Sequence, residues 1–383
     1  MNETILRIAV PSPLFRHFDY LPPASADVRA LQQGIRVRVP FGRRKVVGIL
    51  LEVRSESEID RRRLKPAMAI LDAEPVISTD VLAMALWASA YYHHPVGETL
   101  SAALPTLLRS GQALPDLRPA GWRLTAAGND IDTSALTRAP RQTAAMQALR
   151  QHPGGLVRDA LDVTAATLKT LQEKGWIEPC VIEPRGEDTT PLAETPHTLN
   201  PSQRDAVDSI CASLGEYHPW LLEGVTGSGK TEVYLQVIAS VIAHGRQTLV
   251  LVPEIGLTPQ LVERFRRRFP VPVAVLHSGL GERERLMAWQ QARSGEAAVI
   301  IGTRSAIFTP LAHPGLLVID EEHDSSLKQQ EGLRYSARDL AVWRARRLDM
   351  PVVLGSATPS LESLFNVEQQ RYRHLLLPER TGA

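Results

Sequence analysis

Two short stretches carry residue types whose order could do chemistry. The first is GVTGSGKT, Gly224 to Thr231, which has the spacing G-x-x-x-x-G-K-[ST] of a loop that cradles phosphate groups. In such a loop Gly224, Val225, Thr226, Gly227, Ser228 and Gly229 curl until their backbone N–H groups point inward at oxygen atoms, a conformation that glycine permits. Lys230 would reach the β and γ phosphates of a nucleotide, and the Thr231 hydroxyl would hold Mg²⁺. WLLEG before the loop reads as a strand and TEVYLQVIASVIAHG after it as a helix, whose positive end would face the same anion. A bare glycine-rich turn is the competing reading, and that strand–loop–helix context argues against it.

The second stretch is LLVIDEEHD, an apolar run ending in Asp320, Glu321, Glu322 and His323. Carboxylates buried unpaired at the end of a strand would cost several kcal/mol, so they need a partner. A Mg²⁺ ion accounts for them, with Asp320 as the metal-side ligand and Glu321 as the base that orients the attacking water. Taken alone, DEEH could be a solvated acidic turn. Beside the phosphate loop it predicts hydrolysis of a nucleoside triphosphate, with Lys230, Asp320 and Glu321 as the catalytic set and Thr231 and Asp320 at the Mg²⁺ that travels with ATP.

Such residues need a scaffold. From Leu199 onward, short apolar runs (LVLVP, VPVAVL, AAVIIG, LLVID, PVVLG) alternate with helix-length amphipathic segments, which predicts a parallel sheet covered by helices on both faces. The first hundred residues read differently. IRVRVP alternates apolar and basic residues, FGRRK turns, and VVGILLEV continues, a hairpin signal in which Arg36 and Arg38 share one face. Ser78, Thr79 and Asp80 then offer caps to the helical run VLAMALWASAYYHH. Pro105, Pro115, Pro119 and Gly121 punctuate a loop-rich join. Three short helices and a strand follow, which fits a winged-helix module or a plain helical spacer.

The resulting fold class is multidomain α/β. A small β-rich domain spans 1–105, a winged-helix-like module 106–182, an acidic proline-bearing linker 183–198 and a nucleotide-binding parallel sheet 199–383.

At 383 residues with 44% apolar and 22% charged composition, the chain can build ordinary cores. Its net charge of +1 announces no global basic field, but residues 1–65 hold 13 Lys/Arg against 7 Asp/Glu. Two cysteines, Cys180 and Cys211, cannot make a disulfide framework or a four-thiolate zinc site, and read as thiols in a reducing cytosol. No signal-peptide pattern opens the chain and no apolar run approaches the ~20 residues that cross a bilayer. No membrane partner is therefore expected. Tyr91, Tyr92, His93 and His94 tempt a metal reading, but adjacent histidines diverge on a helix, so packing and capping at a helix end are expected instead.

The set GVTGSGKTEVY, LVPEIGLTPQ, HSGL, GTRSAIFTP, DEEHD, KQQEG, RYSARDLA and GSATPS resembles the first motor lobe of a superfamily 2 helicase, a RecA-like domain. More narrowly, it is similar to the primosomal protein N′ family of replication-restart helicases. The resemblance implies that Gln203, in LNPSQ, contacts the adenine of ATP. It implies further that HSGL, LVPEIGLTPQ and GTRSA line a DNA path with Arg304 on it, and that Gly355, Ser356, Ala357 and Thr358 couple hydrolysis to strand movement. FDYLPP, VRVPFGRR and YYHHPVGE are similar to the family's N-terminal domain, which grips a DNA 3′ end. There Phe18 or Tyr20 would stack a base, Asp19 would accept the 3′-OH proton and Lys65 would meet a phosphate. The plain reading of FDY is a strand with an apolar core residue, and Arg61–Arg63 is by default a solvated basic loop.

Aromatic residues expected in the loop after DEEH are replaced by Leu327 and Leu333, leaving Tyr335 as the DNA contact there. The implied function is an ATP-dependent 3′-to-5′ DNA helicase that recognises stalled forks and restarts replication by initiating primosome assembly. Its partners would be branched and single-stranded DNA, single-strand-binding protein and primosome proteins, in a cytoplasmic, nucleoid-associated setting. The family's zinc insertion, second lobe and arginine finger lie outside these residues, so zinc is expected only there. Slow ATP hydrolysis is expected of the chain alone, since an arginine finger is worth about 10³–10⁵ in rate. Two other readings stand beside this one, a non-enzymatic fork-binding module and a generic superfamily 2 translocase.

Overall fold

The computed structural model describes residues 4–115, 120–131, 139–161, 163–182 and 197–380. The expected linker, 183–198, falls almost wholly outside them. The chain divides into two compact units, residues 1–115 with 190–383, and residues 116–189.

The front of the larger unit is an antiparallel sheet of β1 (Ile5–Ala9), β2 (Phe18–Tyr20), β3 (Arg36–Phe41), β4 (Arg44–Arg54) and β5 (Ala69–Ile70), in the order β2-β1-β4-β3-β5. The hairpin read from FGRRK is β3–β4, with Phe41 opposite Arg44 and Gly42 in the left-handed region. Alternation puts Leu6, Ile8, Val37, Val39 and Leu50 into one core. Arg36 and Arg38 do share a face, but it is covered rather than open. Arg36 is fully buried, bidentate to Asp72 and bonded to the carbonyls of Leu108 (2.8 Å) and Gln112 (2.7 Å). Helices α1 (Thr79–Tyr91), α2 (Val96–Ala102) and α3 (Thr106–Arg109) complete this part.

The smaller unit runs β6 (Ala120–Leu124), α4 (Ala126–Asn129), α5 (Pro140–Gln151), β7 (Leu156–Val157), α6 (Ala165–Glu173) and β8 (Ile177–Val181). Its sheet order is β7-β6-β8, closed over Met146, Leu149, Leu168, Leu171 and Ile177. The first and third expected helices, α5 and α6, and the strand β8 after them form as expected, whereas LVRDAL, expected as a helix, is the short strand β7 followed by a 3-10 turn, because β7 pairs with β6. β6 also differs, since it begins where Pro119 and Gly121 suggested a loop; its edge-to-edge pairing with β8 overrides the local turn signal.

The larger unit continues with α7 (Pro201–Cys211), β9 (Pro219–Gly224), α8 (Lys230–Ala243), β10 (Gln247–Leu251), α9 (Pro259–Arg268), β11 (Val273–Leu276), α10 (Glu282–Ser294), β12 (Val299–Gly302), β13 (Pro314–Ile319), α11 (Ala337–Leu348), β14 (Val352–Ser356), α12 (Leu361–Glu368) and β15 (Arg373–Leu377). The seven strands are parallel, ordered β11-β12-β10-β13-β14-β9-β15. β10, β12 and β14 are buried along their whole length, as strands covered on both faces must be. β15 lies at an edge with Arg373 and His374 exposed, which is why RYRHLLL carries no clear strand period.

The front domain is tied to the lobe through α1 and α11. Arg344, fully buried, donates to Asp80 at 2.8 Å and to the Ile307 carbonyl at 2.8 Å. Trp87 stacks on Trp343 with centroids 5.6 Å apart, and the Ser336 N–H donates to the Tyr92 hydroxyl at 3.2 Å. His94 pairs with Glu98 at 3.2 Å. The YYHH run therefore packs and caps a helix end. Among the described residues, no helix is long and apolar enough to cross a membrane.

Candidate nucleotide-binding site

Sheet order assembles the site. β13, β14 and β9 are neighbours, so their carboxyl ends deliver DEEH, GSAT and the phosphate loop side by side. In open parallel sheets this end is where ligands bind.

Gly227 and Gly229 both sit near φ +82°, turning the loop into the first turn of α8. Val225, Thr226 and Gly227 are exposed at its crown. Lys230 is buried and donates from Nζ to the Gly224 carbonyl at 2.8 Å. The Ser228 hydroxyl is buried without a partner. An orphaned hydroxyl, a lysine resting on the loop's own carbonyl and a helix N-terminus form a set that fits a polyphosphate. Thr231, half-buried on the first turn, stands where a Mg²⁺ ligand is expected.

Gln203 lies against this loop, although its side chain is already engaged. Its Oε1 accepts from Asn200 N at 3.0 Å, its Nε2 donates to the Ser228 carbonyl at 2.8 Å, and its backbone closes a capping box at the start of α7. Gln203 thus braces the phosphate loop, and an adenine contact would require it to release one of these bonds.

Burial first, and the Glu321 charge second, push the Asp320 pKa up, with Lys230 and a hydrogen bond from Tyr234 acting the other way. A carboxylate so placed gains most from a cation, which is the condition a Mg²⁺ ligand meets. The Tyr234 hydroxyl donates to Asp320 at 3.1 Å, and burial with the Asp320 charge keeps it protonated. Glu321 is half-exposed at φ +47°, an uncommon backbone for a non-glycine residue and one that clusters at functional sites.

His323 carries the site into the next strand. Its Nδ1 lies 2.8 Å from Ser356 Oγ and its Nε2 3.4 Å from Thr358 Oγ1, while Thr358 N donates to Ser356 Oγ at 3.0 Å. Gly355, whose carbonyl accepts from Glu322 N at 3.0 Å, Ser356 and Thr358 are therefore in direct touch with DEEH, with Ala357 between them in the chain. Glu322 points the other way and is buried. It accepts from Ser360 N (2.7 Å), Ser363 Oγ (2.9 Å) and Arg338 (3.0 Å), anchoring the start of α12. Sequence reasoning assigned no individual role to Tyr234, Glu322, His323 or Arg338. Tyr234 had a signal, since it follows Lys230 by four residues and shares its helix face; Arg338 had none.

The residues expected to meet DNA divide into two groups. Phe18 is half-buried, edge-on to Phe41 at 5.1 Å with the Arg16 guanidinium 5.0 Å over its ring. Asp19 accepts from Arg7 (3.0 and 3.2 Å) and Ser57 (2.7 Å). Lys65 is exposed beside the end of β2, its carbonyl accepting from Leu21 N at 3.0 Å. Arg304 donates to the carbonyls of Ser326 and Lys328, in the loop after DEEH.

Tyr20 and Tyr335 belong elsewhere. Tyr20 is 5% exposed with its hydroxyl on the Pro40 carbonyl; Tyr335 is 4% exposed against Phe308, and burial pushes its pKa up to about 12. Alternation in β2 sends Tyr20 to the core face, and the apolar Leu327 and Leu333 carry Tyr335 inward with them. Neither ring is free to stack on a base.

Residues 7–105 match a family model for the PriA 3′DNA-binding domain (3′BD), and residues 200–367 one for the DEAD/DEAH box helicase. The replication restart protein PriA of Haemophilus influenzae is 43% identical over 387 residues, covering 99% of this chain and 52% of that protein. That of Bacillus subtilis is 33% identical, covering 96% and 54%. Among solved structures, RecG bound to a three-way DNA junction aligns with 20% identity and a TM-score of 0.36, over 64% of this chain and 30% of that one. The chain spans about half the length of the curated relatives it matches. With both domains inside an alignment that runs nearly its whole length, the chain is similar to about half of the PriA replication restart proteins.

Proposed function

We propose that this chain is the fork-binding and ATP-binding part of a 3′-to-5′ DNA helicase that recognises stalled replication forks and starts primosome assembly there. The observation that carries the reading is the meeting of three motifs at neighbouring strand ends, in a chain that also bears a 3′DNA-binding domain. ATP with Mg²⁺ supplies the phosphoanhydride bond whose hydrolysis yields free energy. Lys230 and the loop N–H groups would hold the phosphates, and Thr231 and Asp320 the metal. Glu321 would orient water and take its proton. His323, bridging to Ser356 and Thr358, would pass the state of the site to β14 and the residues after it.

In the front domain, Phe18, Asp19 and Lys65 would read a 3′ end, with Arg7 and Ser57 holding the Asp19 carboxylate in place. Single-strand-binding protein and primosome proteins are the partners this role calls for, in a nucleoid setting, and zinc belongs to other parts of such a protein.

A fluorescent ATP analogue with Mg²⁺ and a labelled fork test the reading together. Lys230→Ala is expected to weaken nucleotide binding at least tenfold, about 1.4 kcal/mol, and to leave fork affinity unchanged. Nucleotide affinity unaltered by Lys230→Ala would leave a DNA-binding module without an ATP site.

A further inference from the structure

A cavity of about 90 Å³ lies where α2 and α3 of the front domain meet the lobe, away from the nucleotide site. Arg109 at the end of α3 lines it, together with Arg285 and Trp289 from α10, His277 and Ser305.

This wall is rich in donors and positive charge. Burial lowers the Arg109 pKa most and the neighbouring Arg285 charge lowers it further, so the two guanidiniums are close enough to repel; Glu282 acts in the opposite direction. Among the described residues neither arginine has a carboxylate ion pair. Main-chain carbonyls hold them instead. Arg109 Nε donates to Leu104 O at 3.0 Å, and Arg285 donates to the carbonyls of His277, Ser278 and Leu280. Carbonyls fix the orientation of a guanidinium and leave its charge uncompensated.

The third donor is the indole N–H of Trp289. Trp289 is 4% exposed, and that N–H is buried with no acceptor. A buried donor left unmade is destabilising, and in native proteins such groups usually have a partner. Two guanidiniums held by carbonyls, with Glu282 the opposing charge felt by Arg109, and an orphaned N–H, all on residues that line one pocket, favour an acceptor of negative charge. A pocket of this size has room for one tetrahedral oxyanion.

We propose that this cavity is an oxyanion site, taking a single phosphate group between Arg109, Arg285 and the Trp289 N–H, and so joining α3 to α10. The group can be free orthophosphate or one phosphate of a nucleic-acid strand, since both present the same oxygens. None of the three residues belongs to the ATP site, and His277 and Ser305 beside them come from HSGL and GTRSA, the stretches implied to line a DNA path.

The test uses the full chain carrying Lys230→Ala, which disables the competing phosphate loop. Sodium phosphate is titrated against sodium chloride at equal ionic strength while the thermal midpoint is followed, and anisotropy with a short single-stranded oligonucleotide is measured in parallel. Arg109→Gln and Trp289→Phe are compared; the second keeps the ring packing and decides the matter if the first fails to fold. A free anion gives a saturable rise of the midpoint with phosphate, with affinity about tenfold weaker in Arg109→Gln, weaker in Trp289→Phe, and oligonucleotide binding unchanged. A strand phosphate gives competition between phosphate and oligonucleotide, and the same order of loss appears in oligonucleotide affinity. The proposal is overturned if phosphate acts no differently from chloride and both variants bind the oligonucleotide normally. It is equally overturned if a phosphate effect persists undiminished in both variants.

Discussion

Tyr234 donates its hydroxyl to Asp320 at 3.1 Å, and it can do so because residue 355 is glycine. A Cβ at Gly355 would lie 1.6 Å from that hydroxyl, whereas the next atoms, the Tyr234 ring carbon and Asp320 Oδ1, would be 2.8 and 3.5 Å away. The phosphate-loop helix, the acidic strand end and the coupling motif thus meet at one point. Gly355→Ala is expected to lose about 1–3 kcal/mol through overpacking. Because the hydroxyl is the clashing atom, the loss should be markedly smaller in a Tyr234→Phe background. Denaturant unfolding of the two single variants and the double variant measures the coupling; additive losses would show that the contact does not link them.

The adjacent glutamates should separate cleanly. Glu322 is buried among Arg338, Ser360 and Ser363, and Arg338 keeps Asp339 at 3.2 Å, so Glu322→Ala chiefly strips the acceptor from Ser360 N and the Ser363 hydroxyl and should cost about 1–3 kcal/mol in thermal or denaturant unfolding. Glu321 is half-exposed, and Glu321→Gln should change stability by less than about 0.5 kcal/mol while nucleotide binding persists. Equal destabilisation by both would contradict these placements.

Asp80 and Arg344 hold the front domain against the lobe. Although burial favours the protonated acid, the Arg344 charge and hydrogen bonds hold the Asp80 pKa below its ordinary value. A depressed carboxylate contributes stability that is present above the unfolded pKa of about 3.9 and is lost as pH falls through the folded value. Asp80→Asn is expected to cost about 3–5 kcal/mol at neutral pH, since Arg344 is fully buried, and the gap from wild type should close below about pH 4. Paired unfolding curves across that range check the sign, which would be wrong if the gap widened in acid.

Gln203→Ala removes the brace between α7 and the phosphate loop. It should lower stability by about 1–2 kcal/mol and weaken nucleotide binding even with analogues that lack an adenine. Weakening confined to adenine nucleotides would instead favour direct base contact.

The parallel sheet, the phosphate loop and DEEH were legible because they depend on local pattern: apolar runs of strand length, a glycine spacing and acids at a strand end. What stayed hidden depends on the third dimension. Glu322 and Glu321 are neighbours of one chemical type, and only the backbone turn at Glu321 sends one inward and the other out. Arg36 reads as a basic strand residue, yet Asp72 and two carbonyls from residues 108 and 112 enclose it. Tyr20 and Tyr335 were aromatic residues in suggestive places whose neighbours bury them. In each case the deciding partner is distant in sequence.

The most direct test of the proposed role is fluorescence anisotropy of the whole chain on a model fork, at stated salt because phosphate contacts are salt-dependent. A leading-strand end with a free 3′-OH at the branch is compared with the same end carrying a 3′ phosphate. Expected is binding about tenfold tighter to the free end, with the preference abolished in Asp19→Ala, which removes the carboxylate that Arg7 and Ser57 hold. Equal affinity for both ends would contradict end reading by Phe18, Asp19 and Lys65 and leave a DNA-binding ATP lobe without a fork-recognising front.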